Sequence, residues 1–212
     1  MNRRLSHEKC YQAVVKVTED FLARYGDTPL GVGYTRPEHS ATYRIMLEVI
    51  RDWSRPSTIL DVGCGTSRLY EFLLSNNLHN LEYTGLDLSP VALEISRAKY
   101  PNITYYDLNL LDEGNTIPPY DYVIMNGLFT WKGTVAFDDM FAYLRDMVRA
   151  AYAKARVALA FNLVSKHVDW ERDDLFHLPF DSLAGFLKHE ITERYTFRCD
   201  YGAHHYTTYV YR

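Results

Sequence analysis

The sequence predicts an α/β fold: a mostly parallel sheet with an antiparallel last strand, helices on both faces, and an N-terminal helical lid. Three observations predict it. Short apolar runs alternate with amphipathic stretches from residue 58 to residue 163, which is the pattern of strands joined by crossover helices. The first run, Thr58-Ile59-Leu60-Asp61-Val62, stops at the turn Gly63-Cys64-Gly65, where backbone without a Cβ can approach a ligand closely. The β-rich runs 193–199 and 206–211 are joined by a short loop, too short for a crossover, so the last strand must run antiparallel.

In chain order, Tyr11, Val14, Val15, Thr18, Phe21, Leu22 and Tyr25 stand at helical spacing and predict an amphipathic helix over residues 1–25. Gly26-Asp27-Thr28-Pro29 ends it, and Gly31-Val32-Gly33-Tyr34-Thr35-Arg36-Pro37 reads as an irregular, aromatic-bearing loop of the kind that works as a lid. A second helix carries Tyr43, Met46, Leu47 and Ile50. After the first strand, Leu69, Phe72 and Leu73 share a helical face, and residues 83–87 form the second strand. Ser89-Pro90 supplies an N-cap and a proline at the first helical position, so a helix runs to about Tyr100. Strands follow at 103–107 and 122–126. Phe137, Met140, Phe141, Leu144, Met147, Val148 and Ala151 then trace an unbroken helical stripe, with Asp138 and Asp139 in its first turn. Residues 157–163 read as an apolar fifth strand. No repeat or linker divides the chain, so 1–212 is expected to be a single domain, with 1–54 as N-terminal helices and lid and 55–212 as the core.

Composition bounds the function. The 212 residues are 47% hydrophobic and 24% charged, with a net charge of −4 and a pI near 6.1. This argues against a nucleic-acid partner held by phosphate neutralisation. The three cysteines, Cys10, Cys64 and Cys199, are widely spaced and share no metal-ligand pattern, which fits a reducing cytoplasm and no metal. No run approaches roughly 18 apolar residues, and the N-terminus lacks a signal-peptide core. A cytoplasmic protein with no membrane partner is expected.

Ligands of open α/β sheets bind beyond the carboxyl ends of the strands. The residues there are Asp61, Gly63, Gly65, Asp87, Asp107 and Asn126. Asp87 can accept both hydroxyls of a ribose, and Asp107 can reach an adenine amino group. The helix after the glycine turn favours an anionic group at its N-terminus.

With those residues in place, the chain resembles the class I S-adenosylmethionine-dependent methyltransferases. Leu60 to Gly65 match the pattern hydrophobic-Asp-x-Gly-x-Gly, Asp87 matches the ribose acid and Asp107 the adenine acid. The stretches Tyr120-Asp121-Tyr122-Val123-Ile124-Met125-Asn126-Gly127-Leu128-Phe129, Ala160-Phe161-Asn162, Asp200-Tyr201 and Tyr206-Thr207-Thr208-Tyr209-Val210-Tyr211-Arg212 look like a bacterial small-molecule subgroup, similar to trans-aconitate methyltransferases. The resemblance implies a Rossmann-like, seven-stranded sheet whose seventh strand inserts between the fifth and sixth. It implies S-adenosyl-L-methionine as cofactor, S-adenosyl-L-homocysteine as product, and a small polar methyl acceptor such as a sugar, organic acid or specialised-metabolite intermediate. It leaves open a macromolecular (nucleic-acid or protein) methyltransferase and a non-catalytic S-adenosylmethionine-binding protein. Against base N-methylation stands Asn126-Gly127-Leu128-Phe129, where an Asn-Pro-Pro-Tyr-type motif would be expected.

The resemblance also assigns residues. Cofactor contacts are expected from Arg44, Asp61, Gly63, Gly65, Ser67, Asp87, Leu88, Asp107, Leu108 and Asn126. Arg44 stands where similar enzymes place an arginine on the cofactor carboxylate. Ser67 occupies a position often held by a third glycine, and its hydroxyl could meet that carboxylate or cap the following helix. A nicotinamide dehydrogenase would want glycine at 68, which is Arg68. His167, just past the fifth strand and close to Asp169, is the first candidate general base, and His204 and His205, in the loop before the last strand, are further candidates. Tyr34, Arg36, Trp131, His204 and Tyr206 are the candidate acceptor contacts, with Lys132 and His205 beside them.

Overall fold

The computed structural model describes residues 3–33 and 41–212. The order is α1 (Arg3–Tyr25), a short 3-10 helix (Leu30–Val32), α2 (Ala41–Leu47), β1 (Ser57–Val62), α3 (Arg68–Ser75), β2 (Leu81–Asp87), α4 (Pro90–Lys99), β3 (Thr104–Asp107) and β4 (Tyr120–Phe129), then α5 (Phe137–Lys154), β5 (Ala155–Ser165), β6 (His177–Leu178), α6 (Phe180–Glu190), β7 (Tyr195–Arg198) and β8 (His205–Tyr211).

The sheet runs β3-β2-β1-β4-β5-β8-β7, with the two-residue β6 pairing beside β5. Strands β1 to β5 pair in parallel, and β8 lies antiparallel between β5 and β7. The expected antiparallel insertion is therefore present, and β6 makes the sheet eight-stranded rather than seven. The chain leaves β1 toward β2 on one side and later returns to β4 on the other, so the switch in strand order falls between β1 and β4. That is where a doubly wound sheet opens a ligand crevice.

Two apolar layers hold the sheet. One face packs α5 and α6, through Met140, Leu144, Val148, Leu183 and Leu187, against Val123, Leu159 and Phe161. The other packs Met46, Leu47, Leu69, Leu73 and Leu93 against Ile59, Ile124 and Ala160. Burial of such side chains stabilises by roughly 1.5–3 kcal/mol each. Gly85 in mid-β2 is explained by this crowding, because a Cβ there would meet Tyr105 Cδ1 at 2.7 Å and Cys64 Sγ at 2.9 Å.

Several elements differ from the sequence expectation: β6 is absent from it, and α2 ends at Leu47, short of Ile50. Helix α6 is absent from that expectation too, although Phe180, Leu183, Phe186 and Leu187 follow helical spacing after Pro179; Gly185 interrupts the pattern. Strand β4 continues three residues beyond Asn126, with a register break between Met125 and Phe129. Strand β5 is not purely apolar, since it carries the buried Asn162. No described helix is long and apolar enough to cross a membrane.

Candidate functional site

The ends of β1, β2, β4 and β5 open into a cavity of about 500 Å³ that α1 covers from above. The glycine turn forms its floor. Gly63 and Gly65 have φ of 78° and 53°, and a Cβ on Gly63 would press on Leu128 Cδ1 at 3.1 Å, whereas Gly65 faces open space. The turn is pinned to β2, with Gly63 N–H donating to the Leu86 carbonyl at 2.7 Å and Gly65 N–H to Asp87 Oδ2 at 2.7 Å. Asp87 Oδ1 accepts from Ser89 N–H at 2.8 Å. The acid thus fixes the loop that it borders.

Asp61 and Asp87 are both buried and both line the cavity. Asp61 accepts the Tyr83 hydroxyl at 2.9 Å. Burial pushes its carboxyl up to about 7 against the pull of that hydroxyl, and the charge of Asp87 adds to the rise. Burial also raises Asp87, against the three backbone N–H groups that favour its charge. Two buried acids beside a ligand-sized space, each destabilised as an anion, suit a ligand that brings hydroxyl donors and positive charge.

On the β4 side, Asn162 Nδ2 donates to Asn126 Oδ1 at 2.9 Å, and Asn162 Oδ1 accepts Gly127 N–H at 2.7 Å. This amide clamp holds the irregular end of β4, where Gly127 has φ 77°, and both asparagines line the cavity. Asn162 is thus a site residue that the sequence reading quoted but did not assign. Its signal was a lone amide inside an apolar strand.

The cofactor candidates divide. Asp61, Gly63, Gly65, Asp87, Leu88 and Asn126 come together on the cavity wall. Arg44 does not: its side chain is 66% exposed and reaches Glu48 at 3.7 Å. Arg68 lines the cavity in its stead. Ser67 is buried in left-handed conformation, φ 62°, which turns its hydroxyl away to Ser96 Oγ at 2.9 Å and Tyr105 at 2.8 Å. It neither caps α3 nor lines the cavity. The positive φ shows why glycine suits this position. Asp107 is exposed at the end of β3, in register with Asp87, and Leu108 packs against the core. Neither lines the cavity, whereas Asn109 and Leu110 do.

The candidate base is also displaced. His167 is exposed and stacks on Phe180, with ring centroids 5.1 Å apart, away from the cavity. The chain turns outward immediately after β5, and Ser165 Oγ holds that turn by accepting His167 N–H at 3.0 Å. Of the acceptor candidates, Trp131 and His204 line the cavity, joined by His205. Tyr206 is fully buried on the opposite face, its hydroxyl donating to the Leu178 carbonyl at 3.2 Å, because neighbours on a strand point to opposite sides. Tyr34 and Arg36 lie outside the described residues. Trp170, Arg172, Leu175 and the α1 side chains Tyr11, Val14, Thr18 and Phe21 complete the wall. The α1 contribution was legible only as an apolar helix face, without a destination.

Comparison with known proteins agrees with this geometry. Residues 60–157 match a family described as "Methyltransferase domain". Malonyl-[acyl-carrier protein] O-methyltransferase from Acetivibrio thermocellus is 31% identical over 106 residues, which cover 49% of this chain and 34% of that protein. An uncharacterized protein of Rickettsia prowazekii is 24% identical over 126 residues, 57% of this chain and 50% of its own length. The chain thus spans between a third and a half of these two curated relatives. The fold matches magnesium protoporphyrin IX methyltransferase from Synechocystis, solved with bound S-adenosylmethionine, at a TM-score of 0.66 and 14% identity, covering 98% of this chain and 97% of that one. It also matches an N-methyltransferase from Bradyrhizobium japonicum, solved with S-adenosylhomocysteine, at 0.62 and 15%, covering 93% and 97%.

Proposed function

We propose that this chain, whose residues 60–157 match a methyltransferase domain, is a class I S-adenosylmethionine-dependent enzyme that transfers a methyl group from S-adenosyl-L-methionine to a small molecule. The observation that carries the reading is the pairing of the pinned glycine turn with two buried acids, Asp61 in β1 and Asp87 at the end of β2, beside the β1–β4 switch point. Asp87 would hold the ribose diol, and Asp61 would face the positively charged end of the ligand. Leu88, Asn109 and Leu110 line the part of the wall suited to adenine. The helix laid across the cavity supports a small acceptor over a macromolecular one.

When bound, S-adenosylmethionine would supply a sulfonium-activated methyl group for transfer to an acceptor lone pair, the C–S bonding pair leaving with sulfur. The chain's task is to align and to exclude water. Alignment is worth roughly 7–11 kcal/mol, and the Asn126–Asn162 clamp, the pinned turn and α1 provide the rigid frame for it. His204 and His205 are the titratable groups at the acceptor end, placed to receive a proton from a hydroxyl or ring N–H. Titration calorimetry with S-adenosylhomocysteine tests the reading: saturable binding is expected, and no binding at about 1 mM overturns it.

A further inference from the structure

The wall beyond β4 and β5 has a distinct chemistry. Trp131 follows β4 and pairs with Leu175 in an isolated antiparallel bridge. Its ring lies 5.8 Å from Phe21 of the lid, and the Arg172 guanidinium carbon sits 5.2 Å from its centroid. Trp170 meets His204 edge-on at 4.9 Å. All of these residues line the cavity.

The loop that supplies Trp170 and Arg172 is preformed. His177 ties it to β5, its Nδ1 lying 2.8 Å from the Ser165 carbonyl. The N–H groups of Lys132 and Gly133 donate to the Asp174 carbonyl at 2.9 and 3.1 Å, and Phe176 N–H donates to the Thr130 carbonyl at 3.0 Å. A loop zipped in this way offers fixed flat surfaces and costs little ordering on binding.

Charge narrows the occupant. The arginines among the described lining residues are Arg68 and Arg172, and both are already neutralised. Arg68 is held by Asp27 and Glu71 at 2.9 and 2.8 Å. Arg172 makes a two-pronged pair with Asp174 at 2.9 and 2.6 Å, leaving its flat face toward Trp131. An anionic acceptor would therefore meet no unpaired guanidinium among the described lining residues.

Resting on the methyltransferase reading above, we propose that the acceptor is a neutral, flat aromatic molecule bearing a hydroxyl or ring N–H. It lies against Trp131 and Trp170, with that heteroatom toward the β1–β4 cleft and within reach of His204 and His205. Planar rings gain from aromatic and guanidinium faces at once, whereas a carboxylic acid finds no unpaired arginine among the described lining residues and a sugar has no π-face to set against these walls.

The test uses the full chain saturated with S-adenosylhomocysteine at pH 6.5, titrated with 7-hydroxycoumarin, trans-aconitate and glucose while tryptophan fluorescence and heat are followed. Binding of the coumarin at least about tenfold tighter than either comparison compound is expected. Trp131→Ala is expected to weaken it about tenfold without altering S-adenosylhomocysteine affinity. Trp170→Ala, on an exposed loop, provides the same readout should the first variant fold poorly. Equal or tighter binding of trans-aconitate or glucose, undetectable coumarin binding, or unaltered coumarin affinity in a folded variant overturns the proposal. Absence of S-adenosylhomocysteine binding in the first titration overturns the methyltransferase reading instead, so the two failures are distinguished.

Discussion

Asp27, in the turn after the lid helix, sets one carboxylate oxygen 2.9 Å from the Arg68 guanidinium at the start of α3. The other oxygen lies 2.8 Å from Lys99 at the end of α4. A third tie is made higher on α1, where Ser89 Oγ donates to Glu19 at 2.9 Å. The lid is thus fastened to the two helices that follow the glycine turn and Asp87. Asp27→Ala is expected to destabilise the lid by about 1–3 kcal/mol. Limited trypsin digestion should then cut after Arg24 about tenfold faster. The partner cations hold the Asp27 carboxyl below its usual value, so the tie persists above the ordinary carboxylate range and is lost as pH falls through the lowered folded value. A lid equally resistant in the variant refutes the latch.

Asp87 pins the glycine turn and, on the proposed reading, would also hold the ribose, and its removal should reveal both. Asp87→Ala is expected to weaken S-adenosylhomocysteine binding by about 1.5–3 kcal/mol, and amide exchange at Gly65 and Ser89 should quicken as their acceptor disappears. Calorimetry and hydrogen exchange measure the two effects; an unchanged affinity would move the ribose elsewhere.

Asp61 makes stability depend on pH with an unusual sign. Its folded carboxyl, raised to about 7 from 3.8, keeps a proton that the unfolded chain has already released. Between those values the unfolded state binds fewer protons, so stability falls as pH rises, by on the order of 4 kcal/mol across the window. Asp61→Asn keeps an acceptor for Tyr83 and removes the titration. Urea unfolding at pH 5 and pH 8 should show the wild type losing more stability than the variant; parallel curves would place the proton elsewhere.

Ser67 is expected to matter for the fold alone. Its hydroxyl bonds Ser96 and Tyr105 in a fully buried pocket, so Ser67→Ala should cost about 1–3 kcal/mol. Ser67→Gly should cost less, because it relieves a left-handed strain of roughly 1–2 kcal/mol. Thermal unfolding ranks the pair, and a large loss of S-adenosylhomocysteine affinity in either would return Ser67 to the cofactor site.

His167→Ala is expected to leave both S-adenosylhomocysteine and 7-hydroxycoumarin binding unaltered, and to reduce stability by about 0.5–1.5 kcal/mol through the lost stack on Phe180. A marked fall in coumarin affinity would put the ring back in the site.

The strand ends were legible because each carries an acid or amide where an apolar run stops, and backbone hydrogen bonding fixes where a parallel strand can stop. Asp61, Asp87 and Asn126 reach the cavity for that reason. Side-chain direction one or two residues past a strand was not legible. His167 falls outside the cavity and Tyr206 points to the opposite face, because loop exit angles and the antiparallel register are tertiary facts. Arg44 failed differently: it sits on a seven-residue helix whose rotation, set by Ile45, Met46 and Leu47 in the core, leaves the guanidinium in solvent.

That antiparallel register has a consequence for assembly. Strand β8 pairs with β5, His205 opposite Val164 and Tyr206 opposite Leu163, and with β7 along its other edge. A slip of one residue during docking would thrust a phenol into the cavity and an imidazole into the apolar layer beneath α6. The penalty for burying that imidazole edits the slipped state out of the folding ensemble. The adjacent His205 and Tyr206 therefore act as a register mark for the strand that carries them.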